Sequence, residues 1–267
     1  MLVRWMLPAL VVACVASLLP ARASDLVSLK TPRGATQQFL LLKPVSPKAA
    51  VILFAGGHGA LKLQAGGGMQ WGDGNFLVRT RDRLLAAGLM VAVMDAPSDQ
   101  QIGMAATFRM SQEHAQDIGA VVAHLKKQAN IPVWLVGTSM GTFSAARGAL
   151  GPVPIDGLVL TSTITRAKPN WNIAASHKDG VASMPLNRIA VPTLIVSHKN
   201  DGCDITPASD AAKLKRGLSG SPKVEVALLE GGLPAKSEPC LAKSEHGFFG
   251  IEDRAVQTIA SFIKAVK

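Results

Sequence analysis

Five short apolar runs without polar alternation constrain the fold of this chain more than any other feature. They lie at residues 50–54, 90–94, 133–136, 157–160 and 193–196. A strand that is exposed on one face alternates apolar and polar residues, whereas a strand covered on both faces is apolar throughout. The runs therefore predict strands of a mostly parallel sheet that is covered by helices on both faces.

The segments between these runs are typical of helices. After Ser111, apolar residues recur at three- and four-residue steps and predict one buried helix face: Ile118, Val121, Val122 and Leu125. Thr206 and Pro207 open a second predicted helix that runs to about residue 218, and the last helix starts near Asp253. Because strand and helix alternate from residue 50 onwards, the sequence predicts an α/β fold.

The two ends of the predicted sheet differ from its centre. Residues 26–30 and 36–43 flank a turn at 31–34, which predicts an N-terminal antiparallel hairpin. Residues 224–229 alternate more than the other runs, so we expect this strand nearer a sheet edge. No linker divides residues 24–267, which we interpret as a single domain.

The first 23 residues have the features of a cleaved export signal. Arg4 precedes the apolar run 7–19, and Ala21-Arg22-Ala23 offers the small-x-small pattern that signal peptidase reads. The run is too short to span a bilayer comfortably. We favour this signal peptide, residues 1–23, over a lipoprotein cleavage site at Cys14, and expect a periplasmic or secreted protein without a stable membrane span.

Export of the chain bears on its cysteines. Removal of the signal leaves Cys203 and Cys240, and an even pair in an oxidising compartment predicts a disulfide. Two unrelated free thiols are the alternative.

The formal net charge of the chain is +10. The basic residues are scattered, and Arg79, Arg81 and Arg83, which lie in close series, point in different directions on a predicted helix. No basic stripe forms, so we expect no nucleic-acid partner.

The strongest local motif is Gly137-Thr138-Ser139-Met140-Gly141. It follows the apolar run 133–136 directly and precedes a predicted helix at 142–150. A serine on a sharp strand-to-helix turn lifts its hydroxyl clear of the sheet, and glycine two residues before and after it avoids clashes with nearby backbone. Ser139 is therefore the candidate nucleophile.

With this motif in place, nearly all of the chain after residue 23 resembles the α/β-hydrolase superfamily. The resemblance implies a Ser-His-Asp triad in the order serine, acid, histidine, each at a strand end. Asp201, after the run 193–196, matches the acid, with Asp204 as an alternative that could instead cap a helix. His246, in Ser244-Glu245-His246-Gly247, matches the base.

The same resemblance implies two backbone donors for the oxyanion. The first is the amide of Met140, directly after the nucleophile. The second belongs to the loop 55–60, whose order Gly-Gly-His-Gly departs from the family's His-Gly-Gly and leaves Gly57 and His58 both open.

The remaining histidines and glycines show no further chemical motif. The six histidines show no metal-ligand spacing, so we expect no metal and no cofactor. His114 and His124 are expected at the surface or at a helix cap, and His198 as a strand-end residue or a neighbour of the acid. The Gly-rich loop around Trp71 is either a flexible loop or a wall of the site.

These features predict an exported serine hydrolase that acts on a small-molecule acyl substrate. Residues 165–190 have room for a short helix and a loop but not for a large lid domain, and Trp171 there either lines the site or packs in the core. An open site predicts a preference for short acyl chains. A peptidase or acyltransferase on the same triad, or a non-catalytic periplasmic binding protein, are the alternatives, since a fold alone does not define a substrate.

Overall fold

An eight-stranded sheet runs through the protein in a computed structural model that describes residues 24–266. The predicted signal peptide and Cys14 lie outside the described residues. The strands are β1 (Asp25–Lys30), β2 (Thr36–Leu42), β3 (Ala49–Phe54), β4 (Leu89–Met94), β5 (Val133–Thr138), β6 (Gly157–Thr161), β7 (Thr193–His198) and β8 (Val224–Leu229).

The order of the strands in the sheet is β1-β2-β4-β3-β5-β6-β7-β8. From β4 to β8 all neighbours are parallel, while β1 pairs antiparallel with β2 and β2 with β4. The predicted parallel sheet and N-terminal hairpin are confirmed. The more alternating run forms the edge strand β8, whose residues are all at least partly exposed.

Helices cover both faces of the sheet, as predicted. They are α1 (Phe76–Arg79), α2 (Arg81–Ala86), α3 (Ala106–Arg109), α4 (Gln112–Gln128), α5 (Gly141–Ala149), α6 (Ala211–Gly217) and α7 (Glu252–Ala265). One apolar core joins the sheet to α3, α4, α5 and α6, and a second joins it to α1, α2 and α7. Every residue of the central strands β3, β4 and β5 is buried, which explains their unbroken apolar sequences.

Two segments depart from the sequence prediction. Helix α6 begins at Ala211 rather than at Thr206, because Pro207 has extended backbone and a 3₁₀ turn, Ala208–Asp210, comes before the helix. The segment 165–190, which has room for a short helix and a loop, contains two 3₁₀ turns instead, Gly180–Ser183 and Leu186–Arg188. Within residues 24–266, no helix is both long and apolar enough to cross a membrane.

A buried ion pair fastens the N-terminal hairpin to helix α4. Arg33, in the β1–β2 turn, donates to the carboxylate of Asp117 at 2.8–3.0 Å and to that of Asp99 at 2.6–2.8 Å. The side chain of Asp117 is fully buried. Burial raises the pKa of Asp117, and the hydrogen bond from Arg33 opposes this shift. Arg33 therefore stabilises a carboxylate that has no contact with water.

Replacing Arg33 by Met is expected to destabilise the fold. The variant leaves the charge of Asp117 buried and unpaired, so the free energy of unfolding should fall by about 3 kcal/mol in chemical denaturation. Arg83→Met is the matched control, because its partner Asp253 is exposed and such a pair contributes about 0–1 kcal/mol. Equal losses in the two variants would contradict a special role for the buried pair.

Candidate active site

Ser139 lies on a tight turn between β5 and α5, with φ of 52° in the left-handed region. The turn needs both of its glycines, since a Cβ on Gly137 would overlap the carbonyl of Gly141, and one on Gly141 would overlap that of Phe54. The amide of Ser139 donates to Thr161 O at 3.1 Å. Backbone in this conformation is strained for a residue with a side chain, and such strain is concentrated at functional sites.

His246 and Asp201 come together although 45 residues separate them. Asp201 follows β7 and His246 lies in a 3₁₀ turn, Glu245–Gly247, in the long loop between β8 and α7. His246 Nδ1 is 3.1 Å from Asp201 Oδ2, and both side chains are almost fully buried. Asp204, the alternative acid, is exposed and makes no hydrogen bond to His246 in the described chain.

Three residues, through contacts that sequence reasoning missed, hold this pair. Thr206 Oγ1 donates to Asp201 Oδ2 at 2.9 Å and lies 3.1 Å from His246 Nδ1. The amide of Cys203 donates to Asp201 Oδ1 at 3.0 Å. Ser162 Oγ donates to the carbonyl of His246 at 2.7 Å, with its own φ in the left-handed region at 42°. Of these contacts, only the one made by Thr206 had a signal in the sequence. Thr206 precedes Pro207 after the strand, and this pattern was interpreted as a helix start.

A disulfide joins Cys203 to Cys240, as the sequence predicted. It connects the loop that carries Asp201 to the loop that carries His246. Two groups of side chains near it have ligand atoms within 4.8 Å of one another, one with Asp201 and His246 and one with Asp204. Each group includes a disulfide sulfur, which lacks the negative charge of the thiolate that binds metals.

Ser139 and His246 line one cavity of about 400 Å³. The Gly-rich loop forms one of its walls through Trp71 and residues 72–75, and Leu241 and Ala242 also line it. The described residues include no hydrogen bond between Ser139 Oγ and His246. Catalytic hydrogen bonds often tighten only when substrate is bound.

The amides that the sequence suggested for the oxyanion have no acceptor within the described chain. Those of Met140, Gly57 and His58 make no intramolecular hydrogen bond. Gly56 is packed so closely on the nucleophile that a Cβ there would be 3.0 Å from Ser139 Cβ. The next amide along the chain, that of Gly57, therefore lies near the Ser139 turn. The ring of His58 packs against Trp71 with centroids 3.7 Å apart.

Solved structures share this architecture. The chain superposes on an esterase of Pyrococcus furiosus, Pf2001, with a TM-score of 0.63 and 16% identity, covering 92% of this chain and 93% of that one. A zinc-bound cold-adapted esterase from an Arctic intertidal metagenomic library gives 0.56 and 16%, over 90% and 94% of the two chains. These likenesses, with the strand order above, decide the architecture. The chain has the α/β-hydrolase fold.

A third similar structure is described as a puromycin-hydrolyzing peptidase of Mycobacterium tuberculosis. It matches with a TM-score of 0.60 and 13% identity, covering 94% of this chain but only 41% of that one. No family model matches the chain, and no curated protein matches it by sequence. At these identities the likeness extends to the fold and not to the chemistry.

A second cavity of about 410 Å³ also borders the Gly57 loop. Gly57 lines both cavities, and His58 and Met140 line the second. The remaining lining is mainly apolar and includes Met104, Ala106, Trp171 and Ile173. Trp171, for which the sequence left two interpretations open, thus borders a cavity next to the turn.

His114 is fully buried, so the expectation of a surface or cap position was wrong. Its Nε2 lies 2.9 Å from Ser144 Oγ, and its ring packs against Phe54 and Phe108. The cap of α4 is Ser111, whose hydroxyl accepts from the amide of His114. Burial, followed by the positive charge of Arg109, lowers the pKa of His114 to about 3.

The pKa of His114 predicts a dependence of stability on pH. The unfolded chain binds a proton at this histidine below about pH 6.5 while the folded chain does not, so folding should weaken as pH falls from about 6.5 toward 3. The slope due to this residue should approach about 1.4 kcal/mol per pH unit.

Chemical denaturation of the wild type and of His114→Gln between pH 7 and pH 4 measures this slope. His177→Gln is the control, since His177 is only half-buried and its ring bonds only the neighbouring Ser176 among the described residues. Parallel pH curves for the wild type and His114→Gln would refute the assignment.

Proposed function

We propose that the protein is a serine hydrolase that cleaves an ester or related acyl bond through an acyl-serine intermediate. The observation that carries the proposal is the buried Asp201–His246 pair, whose histidine lines the same cavity as a strained, glycine-flanked Ser139. A serine hydroxyl becomes a useful nucleophile only when a base within reach takes its proton.

The chemistry follows from the roles of these groups. His246 Nε2 removes the proton of Ser139 Oγ as the oxygen attacks the carbonyl carbon, and the imidazolium then gives that proton to the departing alkoxide. Water then attacks the acyl-serine by the same steps, with His246 as the base, and releases the carboxylic acid and free Ser139. Asp201, held by Thr206 and the amide of Cys203, fixes the tautomer of His246 and stabilises its charged form.

The oxyanion of the tetrahedral intermediate would bind the amide of Met140 and that of Gly57 or His58. Preorganised donors of this kind contribute about 3 kcal/mol each to transition-state stabilisation. Among residues 24–266 these amides have no acceptor, which supports the assignment.

The two cavities suggest how an ester would lie. The leaving alcohol has to reach His246, which lines only the first cavity, whereas the acyl group has to extend past the oxyanion donors, toward the second. The mainly apolar lining of the second cavity suits a hydrocarbon chain.

The cellular location is part of the proposal. A disulfide persists in an oxidising compartment, and the Cys203–Cys240 bridge is consistent with a periplasmic or secreted protein. A peptidase remains the second candidate, because one similar structure is a puromycin-hydrolyzing peptidase.

The nucleophile can be tested with short-chain p-nitrophenyl esters and a fluorophosphonate probe. Ser139→Ala should abolish the probe adduct and lower turnover by at least about a thousandfold, because the nucleophile is lost. The control is Ser261→Ala, an exposed serine on α7, which should behave as the wild type. A folded wild-type protein without an adduct on Ser139 would exclude this reaction.

Removing the disulfide should affect both stability and catalysis. The double variant Cys203→Ala, Cys240→Ala is expected to unfold about 3–4 kcal/mol more easily by loop-closure estimates. Its kcat should also fall, because the loops that carry Asp201 and His246 would no longer be linked covalently. Thermal unfolding and steady-state kinetics measure the two effects, and wild type under reducing conditions should show the same changes. An unchanged kcat would mean that the bridge does not align the pair.

The orientation of the substrate can be tested by filling either cavity. Ala106→Trp in the second cavity should lower kcat/KM for butyrate and longer esters about tenfold or more relative to acetate, without changing the preference among alcohols. Leu241→Trp in the first cavity is the matched variant and should alter the preference among alcohols instead. The reverse pattern would overturn the assignment of the two cavities.

A further inference from the structure

Arg109 is a buried cation without an acidic partner among residues 24–266. Its side chain is almost wholly inaccessible, and it forms no salt bridge in the described chain. Its guanidinium donates to the carbonyls of Met104 and Gly57, at 3.3 and 3.1 Å, and to Ser144 Oγ at 2.9 Å. Burial lowers the pKa of Arg109 to about 10, so it stays charged at neutral pH. A buried charge is costly, and this one is balanced only by neutral acceptors.

The loop after β3 is folded closely over this cation. Gly59 has φ of 72°, and a Cβ there would overlap the guanidinium. The amide of Met104 donates to the carbonyl of His58 at 2.8 Å. The carbonyls of two successive residues, Gly57 and His58, therefore both accept hydrogen bonds. The bond to Gly57 comes from the charged Arg109.

We propose that Arg109 is a positioning residue for oxyanion stabilisation, holding the Gly57–His58 peptide group and presenting an unneutralised positive charge behind it. This inference rests on the proposed function. Arg109 itself does not contact substrate. It acts through the backbone of the loop that borders Ser139.

The geometry of the peptide group explains how the bond from Arg109 to the carbonyl of Gly57 affects the N–H of His58. The chain has no cis peptide bonds within the described residues, so the N–H of His58 points opposite to the carbonyl of Gly57. A hydrogen bond from a cation to that carbonyl polarises the peptide group and makes its N–H a better donor. The same contact limits rotation about the bonds of Gly57, which would otherwise be free to turn its own amide away from the nucleophile.

The charge also acts directly. In a poorly solvated interior, a full positive charge is screened much less than in water. Arg109 already lowers the pKa of the nearby His58, second to burial, so its field reaches the loop. A negative charge developing on a substrate oxygen at this loop would be stabilised by that field.

The cluster formed by Arg109, Ser144 and His114 carries a single positive charge, that of Arg109. Ser144 Oγ accepts from Arg109, which leaves its proton for His114 Nε2 at 2.9 Å. His114 therefore acts as an acceptor and remains neutral. The buried Nδ1 of His114 has no hydrogen-bond partner within the described residues, so the polar contact of this ring is the one at Nε2.

The experiment compares Arg109→Met and Arg109→Lys with Arg33→Met, using p-nitrophenyl acetate turnover and the rate of fluorophosphonate labelling. Arg33→Met removes a partly buried arginine that donates to Asp117 and Asp99 and not to the Gly57 loop, and serves as the control for lost stability. Thermal midpoints verify that each variant is folded at the assay temperature.

Arg109→Met should lower kcat and the labelling rate about tenfold to a hundredfold, with KM within about threefold, because the lost stabilisation belongs to the transition state. Arg109→Lys keeps the charge but cannot span the Gly57 carbonyl and Ser144 together, so its kcat should fall between those of the wild type and Arg109→Met. Arg33→Met should keep the wild-type kcat despite a lower midpoint.

Wild-type kcat in Arg109→Met, a loss confined to KM, or an equal loss in Arg33→Met would overturn the proposal. If Arg109→Met does not fold, wild-type kcat in folded Arg109→Lys overturns the positioning role. Failure of the proposed function itself is distinguishable, because Ser139→Ala would then leave turnover and labelling unaffected.

Discussion

The close approach of the Ser139 turn to the end of β3 is the constraint on which the site depends. Gly141 lies against the carbonyl of Phe54 with no room for a Cβ. Because the chain continues from Phe54 into the Gly57 loop, this contact brings the candidate oxyanion donors beside the candidate nucleophile. The strained φ of Ser139 is retained by the packing of β5 and α5 on both sides of the turn.

The other groups come from loops at the carboxyl ends of neighbouring parallel strands, where sites in α/β sheets are generally found. Asp201 follows β7, and Ser162, which holds His246, follows β6. His246 follows the edge strand β8 through a long loop with little regular structure, so it depends most on added contacts. The disulfide and the bond from Arg79 to the carbonyl of Gly247 supply them.

Local patterns in the sequence predicted the sheet, the N-terminal hairpin and the Gly-x-Ser-x-Gly turn, because burial and turn geometry act on adjacent residues. Helix α6 was predicted too early, since the hydroxyl of Thr206 bonds Asp201 instead of starting a helix. His114 was misplaced because its partner, Ser144, lies on another helix. Arg109 could not be found from the sequence either, as nothing local distinguishes a buried arginine from an exposed one.

The central claim is that Ser139 carries the acyl group during turnover. The most direct measurement is rapid acid quenching of the protein during p-nitrophenyl acetate hydrolysis, followed by mass analysis of its peptides. The account predicts a single acetyl group, on the peptide that contains Ser139, which accumulates before steady state and disappears when substrate is exhausted. Steady turnover with no acetyl group on Ser139, or with the group on another residue, would contradict it.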